Sequence, residues 1–298
     1  MVIPELKLDL AKSVQEIEEL IREKTLEMKR NGAIVPLSGG LDSSTVAVLT
    51  VRSLGAERVT LLYMPERDSS SLHKKHAQLL AKSLGCDLLK KSLTMTLWMF
   101  GTYGLLPISL IPTRKLRAKV VAYGRRNYIG KDKNYLLKRM RPKPNTTTSK
   151  ANAYGMSKHR IRMAKIYQYA EVHNLMVVGA ANRTEWLTGS FSKWGVDHCA
   201  DVMPVLHLYR TQLEQVAAYL DVPAVIREKP ADPDMIPSVD DKGASLGGFK
   251  LADQILVKLE NGESVETLVE RYEKRVVEDL HTLWNLSKHM RESPYSLL

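Results

Sequence analysis

The sequence predicts an α/β protein built on a doubly wound parallel sheet. Three observations carry that reading. Short apolar runs alternate with amphipathic helical stretches, which is the pattern of strands covered on both faces. Glycine or Asn-Gly punctuates the joints between them. A Ser-Gly-Gly turn lies between an apolar run and a helical one, at Ser38–Gly40.

Residues 9–29 place Leu10, Val14, Ile17, Leu20, Ile21 and Leu26 at helical spacing, ended by Asn31-Gly32. Ala33–Leu37 reads as a buried strand and Ser43–Leu54 as a helix stopped by Gly55. Val59–Met64 is a second strand. Ser70–Leu84 is a second helix, stopped by Gly85, and Asp87–Lys91 a third strand. The alternation breaks over 92–150. It resumes with a helix at Ser157–His173, a strand at Met176–Gly179 and helices at Asn182–Thr188 and Tyr209–Leu220. Residues 227–248 read as a loop, and two helices follow at about 249–260 and 264–286. No repeat or linker divides the chain, so one domain over 1–298 is expected.

Composition agrees. The 298 residues are 44% hydrophobic and 26% charged, which excludes a disordered, collagen-like or disulfide-rich chain. Cys86 and Cys199 have no metal-ligand spacing, and no signal peptide is evident. A reducing, cytoplasmic setting is the expectation. The net charge of +11 is local: residues 114–143 hold 12 basic residues and one acid, and the rest of the chain holds 32 of each sign.

The main chemical signal is Ser38-Gly39-Gly40-Leu41-Asp42-Ser43-Ser44. Glycines between a strand and a helix let backbone N–H groups approach an anion, and the helix dipole favours it. Hydroxyls of Ser38, Ser43 and Ser44 add donors. Asp42 would repel phosphate by itself but suits a magnesium ion bridging to it. The loop lacks the lysine of a Walker A sequence.

This loop resembles the SGGxDS loop of the N-type ATP pyrophosphatases, whose fold is of the adenine-nucleotide alpha-hydrolase (Rossmann-like) type. The second half narrows the resemblance. Arg160-Ile-Arg162-Met163, Val177–Glu185, Phe191-Ser-Lys193, Asp201–Pro204 and Leu208–Gln212 look like ammonia-dependent NAD synthetase in order and spacing, as do Tyr63-Met64-Pro65, Lys229-Pro230 and Ser287–Pro294. The resemblance covers about 30–91 and 155–294. It implies that ATP adenylates the carboxylate of nicotinic acid adenine dinucleotide, releasing pyrophosphate, and that ammonia then displaces AMP. It implies ATP and Mg2+ as cofactors, and a homodimer. Asp42 and Glu185 would hold magnesium. Arg160 would contact nucleotide, with Ser38, Gly39, Gly40, Ser43, Ser44 and Met64 completing its site. Lys193 and Arg210 would sit near phosphate or substrate, and Asp197 or His198 could take a proton from ammonia.

The sequence departs from the family inside the site. Gly179 is followed by Ala180 rather than threonine, and Arg210 replaces lysine. The family's GDGG loop reads Gly195-Val-Asp197-His-Cys199-Ala200, and a terminal His-Lys-Arg reads His289-Met290-Arg291. A different acyl, RNA or sulfur-transfer substrate is one alternative. A non-catalytic nucleotide-binding protein acting through its basic segment is another. Within 92–150, the uncharged run 92–113 is expected to bury itself in the homodimer rather than span a membrane. The basic, tyrosine-bearing run after it reads as a lid over the nucleotides, with a nucleic-acid or membrane surface less favoured. Residues 141–150 read as its hinge, and about 249–298 as a C-terminal helical segment.

Overall fold

The structure is a computed structural model that describes residues 3–124, 134–196, 198–231 and 243–292. Four strands form one all-parallel sheet: β1 (Gly32–Pro36), β2 (Val59–Tyr63), β3 (Leu88–Lys90) and β4 (Leu175–Val177), in the order β3-β2-β1-β4. The order reverses between β1 and β4. At such a switch point, the crevice beyond the strands' carboxyl ends is the natural ligand site.

Side-chain alternation along the strands covers both faces. Ala33, Val35, Leu61 and Met176 point to one core. There they meet α1 (Leu10–Glu27), α2 (Leu41–Leu54), α3 (Ser71–Ser83) and α9 (Arg210–Tyr219). Ile34, Leu62, Leu175 and Val177 point the other way. They meet α4 (Thr94–Met99) and α7 (Thr147–His173). The doubly wound expectation holds.

The helices between and after these elements extend the description. α5 (Arg114–Gly124) and α6 (Tyr135–Met140) precede α7, and α8 (Arg183–Thr188) follows β4. α10 (Ala224–Arg227) follows α9, and a third core gathers α11 (Phe249–Glu260), α12 (Val265–Val269) and α13 (Lys274–Arg291).

Two sequence expectations change. α7 begins ten residues before Ser157, because the Thr146 side chain accepts from Ser149 N–H and caps it. Residues 147–150 are therefore helix rather than hinge, and Pro142 and Pro144 lie outside it, where proline breaks nothing. The helix read over 264–286 is two, α12 and α13, with the second starting after Glu273. The uncharged run 92–113 is α4 and two 3-10 turns, Thr102–Leu105 and Pro107–Leu110. Among the described residues, no helix is long and apolar enough to cross a membrane.

Candidate active site

A cleft opens at the carboxyl end of β1. The Ser38–Ser43 turn forms one side, and Asp42, Glu185 and Arg210 converge beside it; Ala180, Met64, Ser69, His159 and Arg162 complete the wall.

The turn is built from short-range contacts. Ser38 Oγ lies 2.8 Å from Ser43 Oγ, Ser38 N–H donates to Ser43 Oγ at 3.1 Å, and Gly40 N–H donates to Ser38 Oγ at 3.2 Å. Gly40 caps α2 with no side-chain acceptor, so the first N–H groups of that helix are not claimed by a cap. Gly39 has φ +79°, and a Cβ there would lie 2.3 Å from the carbonyl oxygen of His73. Only glycine fits. His73 packs under the turn, its Nδ1 3.2 Å from the Ser38 carbonyl oxygen and its Nε2 2.6 Å from Lys229 Nζ. A ring protonated at Nδ1 satisfies both contacts, donating to the carbonyl and accepting from the lysine.

The opposite side comes from distant parts of the chain. Asp42 Oδ1 accepts from Asn182 Nδ2 at 2.8 Å, and Oδ2 accepts from Arg210 Nη1 at 2.7 Å. Asn182 also caps α8 by accepting from Glu185 N–H at 3.0 Å, which sets the helix that carries Glu185. Arg210 bonds Glu214 through Nε at 3.0 Å. Burial alone would lower the guanidinium pKa, but Asp42 and Glu214, with Glu185, outweigh it and hold the cation firmly charged.

Behind them stands Asp253, fully buried on α11. Its Oδ1 accepts from Thr184 Oγ1 at 2.5 Å, while Oδ2 accepts from Thr211 N–H at 2.8 Å and Thr211 Oγ1 at 2.7 Å. Thr184 Oγ1 in turn accepts from Arg210 N–H at 2.9 Å. One carboxylate thus fixes both the helix of Glu185 and that of Arg210.

The structure brings Ser38, Gly40, Asp42, Ser43, Met64, Glu185 and Arg210 together at the cleft. Gly39 shapes the turn from behind. Ser44 is fully buried in α2 and does not line the cleft. Arg160 is exposed and donates to the Lys193 carbonyl at 3.3 Å; Arg162, two residues on, lines the cleft instead. Lys193 turns to the carboxyl end of α13, donating to the carbonyls of His289 and, at 3.4 Å, Glu292, the usual partners of a basic side chain there. Asp197 lies outside the described residues. His198 sits among Trp186, Phe191 and Trp194, away from the cleft lining, and burial and Lys193 push its pKa down. The basic run is also less open than expected: Arg117 and Arg139 are buried, and Arg139 Nη2 donates to the carbonyls of Gly189 and, at 2.8 Å, Phe191. Residues 125–133 lie outside the described residues.

Sequence reasoning missed His73, His159, Arg162, Asp253 and Ser69. His73 and His76 at i, i+3 in a helix following β2 are a readable signal, and Arg162 stands in the motif that pointed to Arg160; His159, Asp253 and Ser69 have none.

The model of the NAD synthase family matches residues 13–105 and 129–294. The chain belongs to the NAD synthase family. The internal part outside the match is 106–128, shorter than the 92–150 taken from sequence. The NH(3)-dependent NAD(+) synthetase of Thermotoga neapolitana is 40% identical over 245 residues, 82% of this chain and 83% of the relative. That of Thermotoga maritima is 38% identical over 275 residues, 92% and 95%. Among solved structures, the NMN synthetase of Francisella tularensis superposes with a TM-score of 0.72 at 20% identity, over 97% of this chain and 99% of that one. The NH3-dependent NAD synthetase of Campylobacter jejuni gives 0.69 at 21%, over 98% and 100%. These two establish the shared fold.

Proposed function

We propose that this chain is an ammonia-dependent NAD synthetase. A carboxylate oxygen of nicotinic acid adenine dinucleotide attacks the α-phosphorus of ATP, and the bond to the β-phosphate oxygen breaks. Pyrophosphate leaves, and an acyl adenylate remains. Ammonia attacks the acyl carbon, loses a proton and expels AMP, giving NAD. The observation that carries the reading is the juxtaposition of the Ser38–Ser43 turn with Asp42, Glu185 and Arg210 in a chain of this family.

Each of these residues has a physical task. The N-terminal end of α2, with the Ser38 and Ser43 hydroxyls, suits the departing pyrophosphate. Arg210 and Lys229 bring positive charge to the same place, where fixed charges act without reorganising. Asp42 and Glu185 offer oxygen ligands only, the hard donor set that magnesium prefers. Bound there, magnesium would neutralise phosphate charge. The chemistry needs the cytoplasm's ATP, and we place the protein there.

We also propose a homodimer. Met95, Trp98 and Met99 occupy positions i, i+3 and i+4 of α4 and form one exposed stripe with Phe100; Trp98 is 67% exposed and nearby Leu110 88%. A second copy is the occupant this apolar stripe suits. Trp98→Asp should convert a dimer to a monomer in light scattering; a wild type that is monomeric at assay concentration defeats the assignment.

The function is tested by following NAD, AMP and pyrophosphate with ammonium as amine donor. All three should appear in equal amounts, and Asp42→Ala should reduce the rate about a hundred- to a thousandfold, the range of a lost essential electrostatic group. ADP and phosphate as products would refute the reading.

A further inference from the structure

Of the residues 106–128 that the family match leaves out, Arg114 and Arg117 are wired into the back of the cleft. α5 carries Arg117, only 2% exposed. Its Nη1 donates to the carbonyls of Ile111 at 2.6 Å and Pro112 at 3.1 Å, and its Nη2 to the carbonyl of Arg67 at 3.2 Å. Nε lies 2.9 Å from Asp68 Oδ1, an ion pair set off hydrogen-bond alignment. Arg114, one turn earlier, donates to the Asp68 carbonyl at 2.7 Å.

Asp68 is one of two carboxylates in a buried network. Lys158, fully buried on α7, donates to Glu66 Oε1 at 2.9 Å and Asp68 Oδ2 at 2.8 Å. Tyr103 donates to Glu66 Oε2 at 2.7 Å and Tyr154 donates to Asp68 Oδ2. Burial alone would raise the Asp68 pKa; Lys158, Tyr154 and Arg117 overcome it and hold the group below the usual carboxylate value.

Charges removed from water in this way yield little net stability, since desolvation offsets their attraction. What they yield is fixed geometry, and the geometry here is that of the cleft. Ser69 follows Asp68 and Met64 precedes Glu66 by two; both line the cleft. His159 follows Lys158, and Arg162 is one turn further; both line it too. Arg162 Nε donates across to the Met64 carbonyl at 3.5 Å. The network therefore clamps the 64–69 turn to α7 from behind, and Arg117 is the member supplied by the segment that the family match omits. Arg117 itself does not line the cleft.

We propose that Arg117 is a positioning residue for nucleotide binding, holding the 64–69 turn through Asp68 at the distance from α7 that the nucleotide requires. The proposal rests on the reading of the cleft as the ATP site. Arg117→Met removes the charge and the fork while keeping length; Arg117→Lys keeps charge but loses the fork. ATP affinity should be measured by calorimetry on the full chain, alongside steady-state NAD formation and thermal melting. Arg117→Met should bind ATP about tenfold more weakly with kcat within about threefold, because displaced walls weaken binding without removing a reacting group. Arg117→Lys should fall between, at about threefold, and carries the test if Arg117→Met does not fold. ATP affinity within twofold of wild type in every variant that folds would overturn the proposal. A wild type that binds no ATP would instead defeat the ATP reading, and this one with it.

Discussion

The two sides of the cleft are held by different means. On the phosphate-loop side, hydroxyls and backbone within six residues hold one another, and a glycine admits the neighbouring helix at close range. On the carboxylate–guanidinium side, Asp42 meets Asn182 and Arg210 across 140 and 168 residues, and Asp253 reaches Thr184 across 69. The first side is held mainly within one short stretch, with His73 of α3 packed beneath it. The second exists only after the sheet, α8, α9 and α11 have packed. A change on the first side should damage phosphate binding directly; one on the second should act through stability and alignment together.

The sharpest way to break the comparison is Gly39→Ala. The methyl group would strike the backbone oxygen of His73, and a residue with a side chain pays roughly 1–2 kcal/mol for the left-handed conformation besides. Neither the turn nor α3 can yield without moving the phosphate cradle. Turnover should fall about a hundredfold, the scale of an ångström-sized misplacement, with weaker ATP binding in calorimetry. Near-normal activity would mean that this turn does not hold the phosphates.

The same contrast explains what the sequence made legible. Ser38–Ser43 could be read because its chemistry and its fold share one short stretch. The strands could be read because their apolar runs alternate with helices. Asp42 could be read from the loop itself, Glu185 and Arg210 came from resemblance, and all three meet at the cleft. Arg162 was passed over for Arg160 because the phase of α7 cannot be read from apolar spacing: that helix buries Lys158 beside Tyr154, Met163 and Ile166, so a lysine sits where a hydrophobic stripe would be sought. Lys193 lacked any local sign that α13 would supply its partners. Burial of two cations in the basic run likewise has no sign in the charge count. Charge count marks a solvated surface only when cations stay in water, and Arg117 and Arg139 do not.

The next change bears on the distant side. Asp253→Asn keeps size but replaces one acceptor oxygen with a donor, facing Thr184 and Thr211, which both donate. A buried donor left without an acceptor costs roughly 1–3 kcal/mol. At about 2–4 °C per kcal/mol, melting should fall by several degrees. NAD formation should fall with it, by less than Gly39→Ala causes, since Arg210 is displaced rather than removed. An unchanged melting temperature would mean that Asp253 does not organise this side.

The smallest effect should come from Arg160→Ala. Residues two apart on a helix lie on nearly opposite faces, so Arg160 and Arg162 cannot serve one ligand from the same turn of α7. Arg160 is exposed, with a 3.3 Å bond to the Lys193 carbonyl, whereas Arg162 lines the cleft beside Met64. An exposed side chain with one such contact contributes within about 0.5 kcal/mol. Melting should hold steady, and KM for ATP should stay within about twofold, since 0.5 kcal/mol is barely more than a factor of two. A tenfold rise in KM would place the nucleotide on the outer face of α7. It would move the phosphate end of the ligand away from Asp42 and Arg210, and both sides of the cleft would need a different occupant.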